Sequence, residues 1–195
     1  MKNIFIINAH QKYPFSEGKL NETFTMKAKE HFEKKGCEVK ITGMEDKYEA
    51  PLEVEKFKWA DLIILQTPIN WMGVSWSFKK YIDEVFSIGM MGEMSDGDGR
   101  SKEAPKTNYG MGGKLNAKYM FSITANAPKE AFNNSDEPFF NGLSEDDLFK
   151  PMHLNFKWFG FLALPTFMAY DVMKNPEIEN DLHRFDVHLE TIFNK

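Results

Sequence analysis

The chain has 195 residues, 42% of them apolar and 27% charged, with 24 Lys+Arg against 29 Asp+Glu and a formal net charge of −5. That length suits one domain with its own core and no metal or disulfide staple, and the mild acidity argues against a nucleic-acid binder, which shows a concentrated basic face. No apolar run approaches the ~18 residues of a membrane span, residues 1–10 hold too short an apolar segment for a secretory signal, and the lone Cys37 fits a reducing, cytoplasmic compartment.

Residues 4–8 (Ile-Phe-Ile-Ile-Asn) are a short apolar run rich in β-branched side chains, which predicts a buried strand of a parallel sheet. A polar loop follows over 9–18, with Pro14 and Gly18 as breakers. Leu20, Phe24, Ala28, His31 and Phe32 then recur at spacings of three and four, a helix ended by Gly36, and residues 37–42 alternate like a strand. Residues 59–66 form the next apolar run, closed by Thr67-Pro68, and Val74, Phe78, Tyr81, Ile82, Val85 and Phe86 mark a helical face after it. Within that helix Lys79-Lys80 and Asp83-Glu84 read as a solvated face with supporting charge pairs. Residues 118–124 are a fourth strand. Residues 146–159 are helical, with Ser144 as cap, carboxylates in the first turn and Pro151 in a first turn or at a kink. Residues 161–169 are a fifth strand interrupted by Pro165, and residues 176–193 a last amphipathic helix presenting Leu182, Phe185, Leu189 and Phe193.

Strands alternating with helices predict an α/β fold, a doubly wound five-stranded parallel sheet with helices on both faces, because parallel neighbours need right-handed crossovers. No repeat or linker divides residues 1–195. The exception to the regular pattern is a long stretch at about 87–117, rich in Gly, Asp and Ser, which reads as a functional lid or binding loop. Met90, Met91, Met94 and Met111 fall within it and offer either an adaptable apolar surface or a subunit contact, as does Phe139-Phe140.

Ligands of open α/β sheets settle beyond the carboxyl ends of the strands, which nominates residues 9–21, 67–73 and 124–128 together with the long loop. In the first segment Ser16, Gly18, Lys19 and Asn21 open a helix whose free amides favour a phosphate, with Lys12 and Lys19 adding charge. The other reading of Ser16 or Asn21 is as the cap of that helix. Neither dinucleotide nor phosphate-loop glycine patterns occur here, and Gly110-Met111-Gly112-Gly113-Lys114 lacks the flanking residues of a phosphate loop, having Asn108 and Leu115 in their place. The second segment, Thr67-Pro68-Ile69-Asn70-Trp71-Met72-Gly73-Val74-Ser75-Trp76, sets two tryptophans and a methionine in a strand-to-helix turn. Backbone polar groups beside a flat apolar wall suit a planar heteroaromatic such as an isoalloxazine ring. Trp71 is read as that wall and Trp76 as a plug of the core end. Among the histidines only His10 lies in a ligand loop; His153, His183 and His188 are too scattered for a metal site, and none is expected.

The combination of Ser16-Glu17-Gly18-Lys19-Leu20-Asn21, the 67–73 segment, Lys79-Lys80-Tyr81-Ile82-Asp83-Glu84-Val85-Phe86, Tyr109-Gly110-Met111-Gly112-Gly113, Asn126-Ala127-Pro128 and the ending Leu164-Pro165-Thr166-Phe167 resembles the flavodoxin-like NAD(P)H:quinone oxidoreductases. It is most similar to their bacterial modulator of drug activity B group, relatives of DT-diaphorase. The likeness extends over essentially the whole chain.

That resemblance implies a flavodoxin-like homodimer with one FAD per subunit, FMN fitting less well, and hydride transfer from NADPH or NADH through the flavin to quinones, each substrate in turn. It implies that Ser16, Leu20 and Asn21, with His10 and Gly18 beside them, hold the pyrophosphate and ribityl chain. Pro68, Ile69, Asn70, Trp71 and Met72 would line one edge of the ring, and Thr124, Ala125 and Asn126 its other side. Tyr109 would approach from the partner subunit, where it either donates a hydrogen bond to the quinone oxygen or packs on the ring edge. DT-diaphorase carries Gly-Gly where this chain has Asn126-Ala127. The alternatives are an azo- or nitro-compound reductase on the same scaffold, a flavodoxin-type electron carrier, against which the long insertion argues, and a flavin-free binding module.

Overall fold

In the computed structural model, which describes residues 1–194, the first apolar run forms β1 (Asn3–Asn8), with Ile4, Phe5, Ile6 and Ile7 fully buried. A strand covered on both faces can hold no polar alternation, so the run is continuously apolar. After it come α1 (Lys19–Lys34), β2 (Glu38–Gly43), α2 (Ala50–Trp59), β3 (Leu62–Pro68), α3 (Trp76–Gly89) and β4 (Lys118–Thr124). Past a single 3-10 turn, α4 (Glu145–Leu148), α5 (Lys150–Trp158), β5 (Leu162–Ala163), β6 (Phe167–Ala169) and α6 (Ile178–Phe193) complete the chain.

The strands are parallel in the order β2-β1-β3-β4-β5, and β6 also pairs with β4. β5 lies beside Lys118-Tyr119 and β6 beside Ser122–Thr124, so the expected fifth strand is two short pieces. Pro165 separates them, because it has no N–H to continue the ladder. Side chains along the central strands alternate between two cores. Ile4, Ile6, Leu62 and Ile64 meet Phe24, Ala28 and Phe32 of α1 and Phe185, Leu189 and Ile192 of α6. Phe5, Ile7, Ile63 and Leu65 meet Val54 and Phe57 of α2, Phe78 and Val85 of α3 and Phe156 of α5. Burying each of these side chains other than Ala28 contributes about 1.5–3 kcal/mol. Helices therefore cover both faces.

Four further expectations change. α2 was not foreseen: only Val54 and Phe57 give it an apolar face, and a buried carboxylate, Glu53, interrupts the pattern. Trp59 closes α2 instead of opening a strand, and β3 runs on through Thr67 and Pro68. The helix expected over 146–159 is two helices that meet at Phe149, with Pro151 in the first turn of α5. Trp76 does not plug the core: it is exposed, because Ser75 caps α3 by accepting from Phe78 N at 3.2 Å and turns Phe78 inward in its place. The Ser144 cap is present as a reciprocal pair, Asp147 N donating to Ser144 Oγ (3.1 Å) and Ser144 N to Asp147 Oδ2 (3.0 Å).

The long loop is anchored at its base. Met94 is fully buried, Lys114 N donates to Met94 O (3.0 Å) and Leu115 N to Phe159 O (2.9 Å), and Gly113 packs so closely on Phe159 that a β-carbon there would lie 2.2 Å from its carbonyl carbon. Met90, Met91 and Met111 face outward.

Candidate functional site

Because β1 lies between β2 and β3, the chain leaves β1 and β3 in opposite directions, and a crevice opens beyond their carboxyl ends. A cleft of about 520 Å³ occupies that position, lined from the loops after β1, β3 and β4 and from the segment that follows β6.

The first loop supplies the start of α1. Its N-cap is Gly18, at φ +83°, and no side chain caps the helix, so neither Ser16 nor Asn21 acts as cap. The first-turn amides lack intrahelical acceptors by geometry and are left to a ligand or water. Only glycine fits at position 18: besides the left-handed φ, a β-carbon would stand 2.4 Å from His10 Nδ1. Ser16 instead closes a tight turn, exchanging backbone hydrogen bonds with Tyr13 (3.0 Å each way), and its hydroxyl lies 3.2 Å from His10 Nε2. Burial pushes the His10 pKa below its ordinary 6.5, so the ring is neutral at pH 7. Lys19 pairs with Glu17 at 2.6 Å on the surface, an exposed contact of little energetic weight.

The floor joins three elements. Asn21 of α1 accepts at Oδ1 from Gln66 Nε2 of β3 (2.9 Å) and from Thr124 Oγ1 of β4 (3.3 Å). The second loop contributes Pro68, Ile69 and Asn70 to the lining, held by Ile69 N donating to Thr124 O (2.9 Å). Asn70 and Gly73 then exchange backbone bonds (2.8 and 3.1 Å) around Trp71 at φ +47° and Met72 at φ +63°. Positive φ at both central residues is a type I′ turn, whose usual occupants are Asn and Gly. Holding Trp and Met there costs about 1–2 kcal/mol per residue. The turn lifts Trp71 to 98% exposure. Trp71 and Met72 thus stand beyond the cleft lining, at its rim. Asn70 Nδ2 is buried and has no partner among the described residues.

From the third loop Thr124 and Asn126 line the cleft, but Ala125 does not. It is buried, its N–H donates to Ala169 O (2.9 Å) and its carbonyl accepts from Val172 N (3.0 Å), so its backbone is committed to the sheet edge. Tyr109 is not brought to the cleft either. It lies 69% exposed over a separate groove of about 410 Å³, edge-on to Trp158 with ring centroids 5.3 Å apart. Conversely, Tyr13, Phe15, Val172 and Met173 line the cleft and were not singled out from the sequence. The Tyr13 and Phe15 rings stack at 5.3 Å, and aromatics flanking Pro14 in a polar loop carried the same signal as Trp71. Among the described residues no His, Cys, Asp and Glu cluster could hold a metal, and no helix is long and apolar enough to cross a membrane.

An uncapped helix start, a polar floor and an apolar rim fit a phosphate-bearing planar group, and a flavin has that build. Residues 2–191 match the family described as having a flavodoxin-like fold. A NADPH:quinone oxidoreductase of Haemophilus influenzae is 40% identical over 192 residues, covering 98% of this chain and 99% of its own. A candidate quinone reductase from Klebsiella pneumoniae superposes with a TM-score of 0.73 at 21% identity, over 99% of this chain and 85% of that one. General stress protein 14 from Treponema denticola, solved in complex with FMN, superposes at 0.66 and 14% identity over 98% and 99%. At those identities the two structures bear on the fold.

Proposed function

We infer an activity for a chain that belongs to the flavodoxin-like family and, within it, to the NAD(P)H:quinone oxidoreductases. It is an oxidoreductase, and we propose that it reduces quinones with NADPH or NADH through a bound FAD, the two substrates using the same ring face in turn. The observation that carries this reading is the α1 N-terminus, uncapped and opening onto a floor formed by Asn21 and Thr124, with Gln66 buried behind Asn21.

A bound flavin would supply the hydride chemistry between nicotinamide and quinone. The chain's own residues bind and orient. Ser16, Leu20 and Asn21, with the first-turn amides of α1, hold the pyrophosphate and ribityl chain, the helix end favouring its negative charge. Asn70 lines the cleft and would offer its side-chain amide to a polar edge of the ring. Thr124 and Asn126 close the opposite side, without Ala125. His10, neutral and packed on Gly18, adds no charge that would have to be compensated. Trp71, Met72 and Tyr109 all project outward. In a homodimer such side chains would roof the partner's cleft, excluding water and letting Tyr109 donate to the quinone oxygen as negative charge develops there.

Release of the bound cofactor, its identification by mass and menadione reduction with each nucleotide test the reading. FAD recovery with nucleotide-dependent turnover is expected. A colourless protein that takes up neither added FAD nor FMN removes it.

A further inference from the structure

We propose that Gln66 is a positioning residue for the anion-binding end of the cleft: it locks the Asn21 side-chain amide with its oxygen inward and its NH2 group free to donate to a phosphate. The proposal rests on the flavin reading above, and it concerns a residue that does not itself line the cleft.

Gln66 is 1% exposed, in a strand whose neighbours Ile64 and Leu65 are fully buried. A primary amide in such a place is costly unless hydrogen-bonded, and only half of this one is. Gln66 Nε2 donates to Asn21 Oδ1 at 2.9 Å, while Gln66 Oε1 is buried with no partner among the described residues. A leucine or methionine would fill the volume without that cost, so packing alone does not account for the residue.

Its effect is on Asn21. Thr124 Oγ1 also points at Asn21 Oδ1, 3.3 Å away. Two donors converging on one oxygen favour that orientation: turning Asn21 alone would set its NH2 group against that of Gln66, and turning both amides together would bury the two N–H donors of Gln66 where a single carbonyl oxygen now lies without a partner. Asn21 Nδ2 makes no hydrogen bond to the described residues, yet Asn21 lines the cleft from the first turn of α1. The locked amide therefore adds a side-chain donor beside the uncapped backbone amides. Without Gln66, Asn21 is free to present its oxygen, and a lone pair facing a phosphate repels it. Supporting a binding group by a second, buried hydrogen bond is the usual way a site keeps its geometry.

The test is binding of FAD, FMN and riboflavin, the last lacking phosphate, to the full chain and to two variants, with thermal melting confirming that each is folded. Gln66→Met is expected to weaken FAD and FMN about tenfold or more, the scale of a lost hydrogen bond to a charged group, and riboflavin less than about twofold. Gln66→Glu at pH 8 is expected to weaken FAD and FMN further, because a carboxylate at position 66 calls the Asn21 NH2 inward. Equal weakening of all three flavins, or none, overturns the role of Gln66 while leaving flavin binding intact. Wild-type protein that takes up none of the three removes the flavin reading and this inference with it.

Discussion

The α-carbon of Gly18 rests against the ring of His10, so that a β-carbon on residue 18 would lie 2.4 Å from Nδ1 and 2.6 Å from Cε1. This contact joins the end of β1 to the start of α1 and sets where the helix amides point. Gly18→Ala pays for the left-handed φ and displaces the imidazole. It is expected to destabilise the fold by about 1–3 kcal/mol and to weaken phosphate-bearing flavins more than riboflavin, read by urea unfolding and flavin titration.

His10 links stability to acid. Its folded pKa is depressed by burial below the unfolded 6.5, so the unfolded chain binds the proton first and stability rises with pH across that interval. The contribution is fully present above pH 6.5 and is lost as the pH falls through the folded value. His31, depressed by burial as well, acts in the same sense. Unfolding free energies at pH 7.5 and 5.5 should differ less in His10→Gln than in wild type; an unchanged difference assigns the effect elsewhere.

The Trp71-Met72 turn is where backbone strain and exposed aromatic surface coincide. Replacing the pair with Asn-Gly, the residues a type I′ turn favours, should raise stability by about 1–2 kcal/mol while lowering quinone turnover, since the rim loses its apolar wall. A variant that gains stability at full activity shows the turn to be dispensable for the substrate.

Glu53 is 2% exposed and is held by Tyr81 OH (2.7 Å), Thr42 Oγ1 (2.8 Å) and Lys56 Nζ (2.6 Å). Burial and the neighbouring carboxylate hold the Tyr81 phenol protonated far above its ordinary range. Tyr81→Phe leaves a buried carboxylate one donor short and should cost about 1–3 kcal/mol with little change in flavin affinity, because α2 and α3 pack away from the cleft.

Tyr109→Phe separates donation from packing. Loss of a donor to a developing oxyanion should lower quinone turnover about tenfold to a hundredfold with flavin content unchanged; turnover at the wild-type rate leaves the ring only a packing role.

How much of this was legible varies with the range of the interaction. The strand over 118–124 appears with the same bounds in the structure, and β1 differs by one residue, because a buried parallel strand is written as an uninterrupted apolar run. α2 was hidden because Glu53, buried through partners on β2 and α3, breaks its apolar spacing. Trp76 looked like core from its composition, but the Ser75 cap fixes the helix phase and turns it to solvent.

The same division holds at the site. The order of strands and helices, readable from hydropathy alone, already implies a crevice at the carboxyl ends of β1 and β3, and the residues after those strands had to border it. Which of them face a ligand depended on pairs remote in the chain: Gln66 lies 45 residues from Asn21, and Thr124 lies 103 residues from it. Ala125 is withdrawn by hydrogen bonds to residues 169 and 172, and Tyr109 is carried off to the groove beside Trp158. Periodicity records how each segment meets the core as a whole; the direction of a single amide or ring is chosen by its individual neighbours, and only the folded chain assembles those.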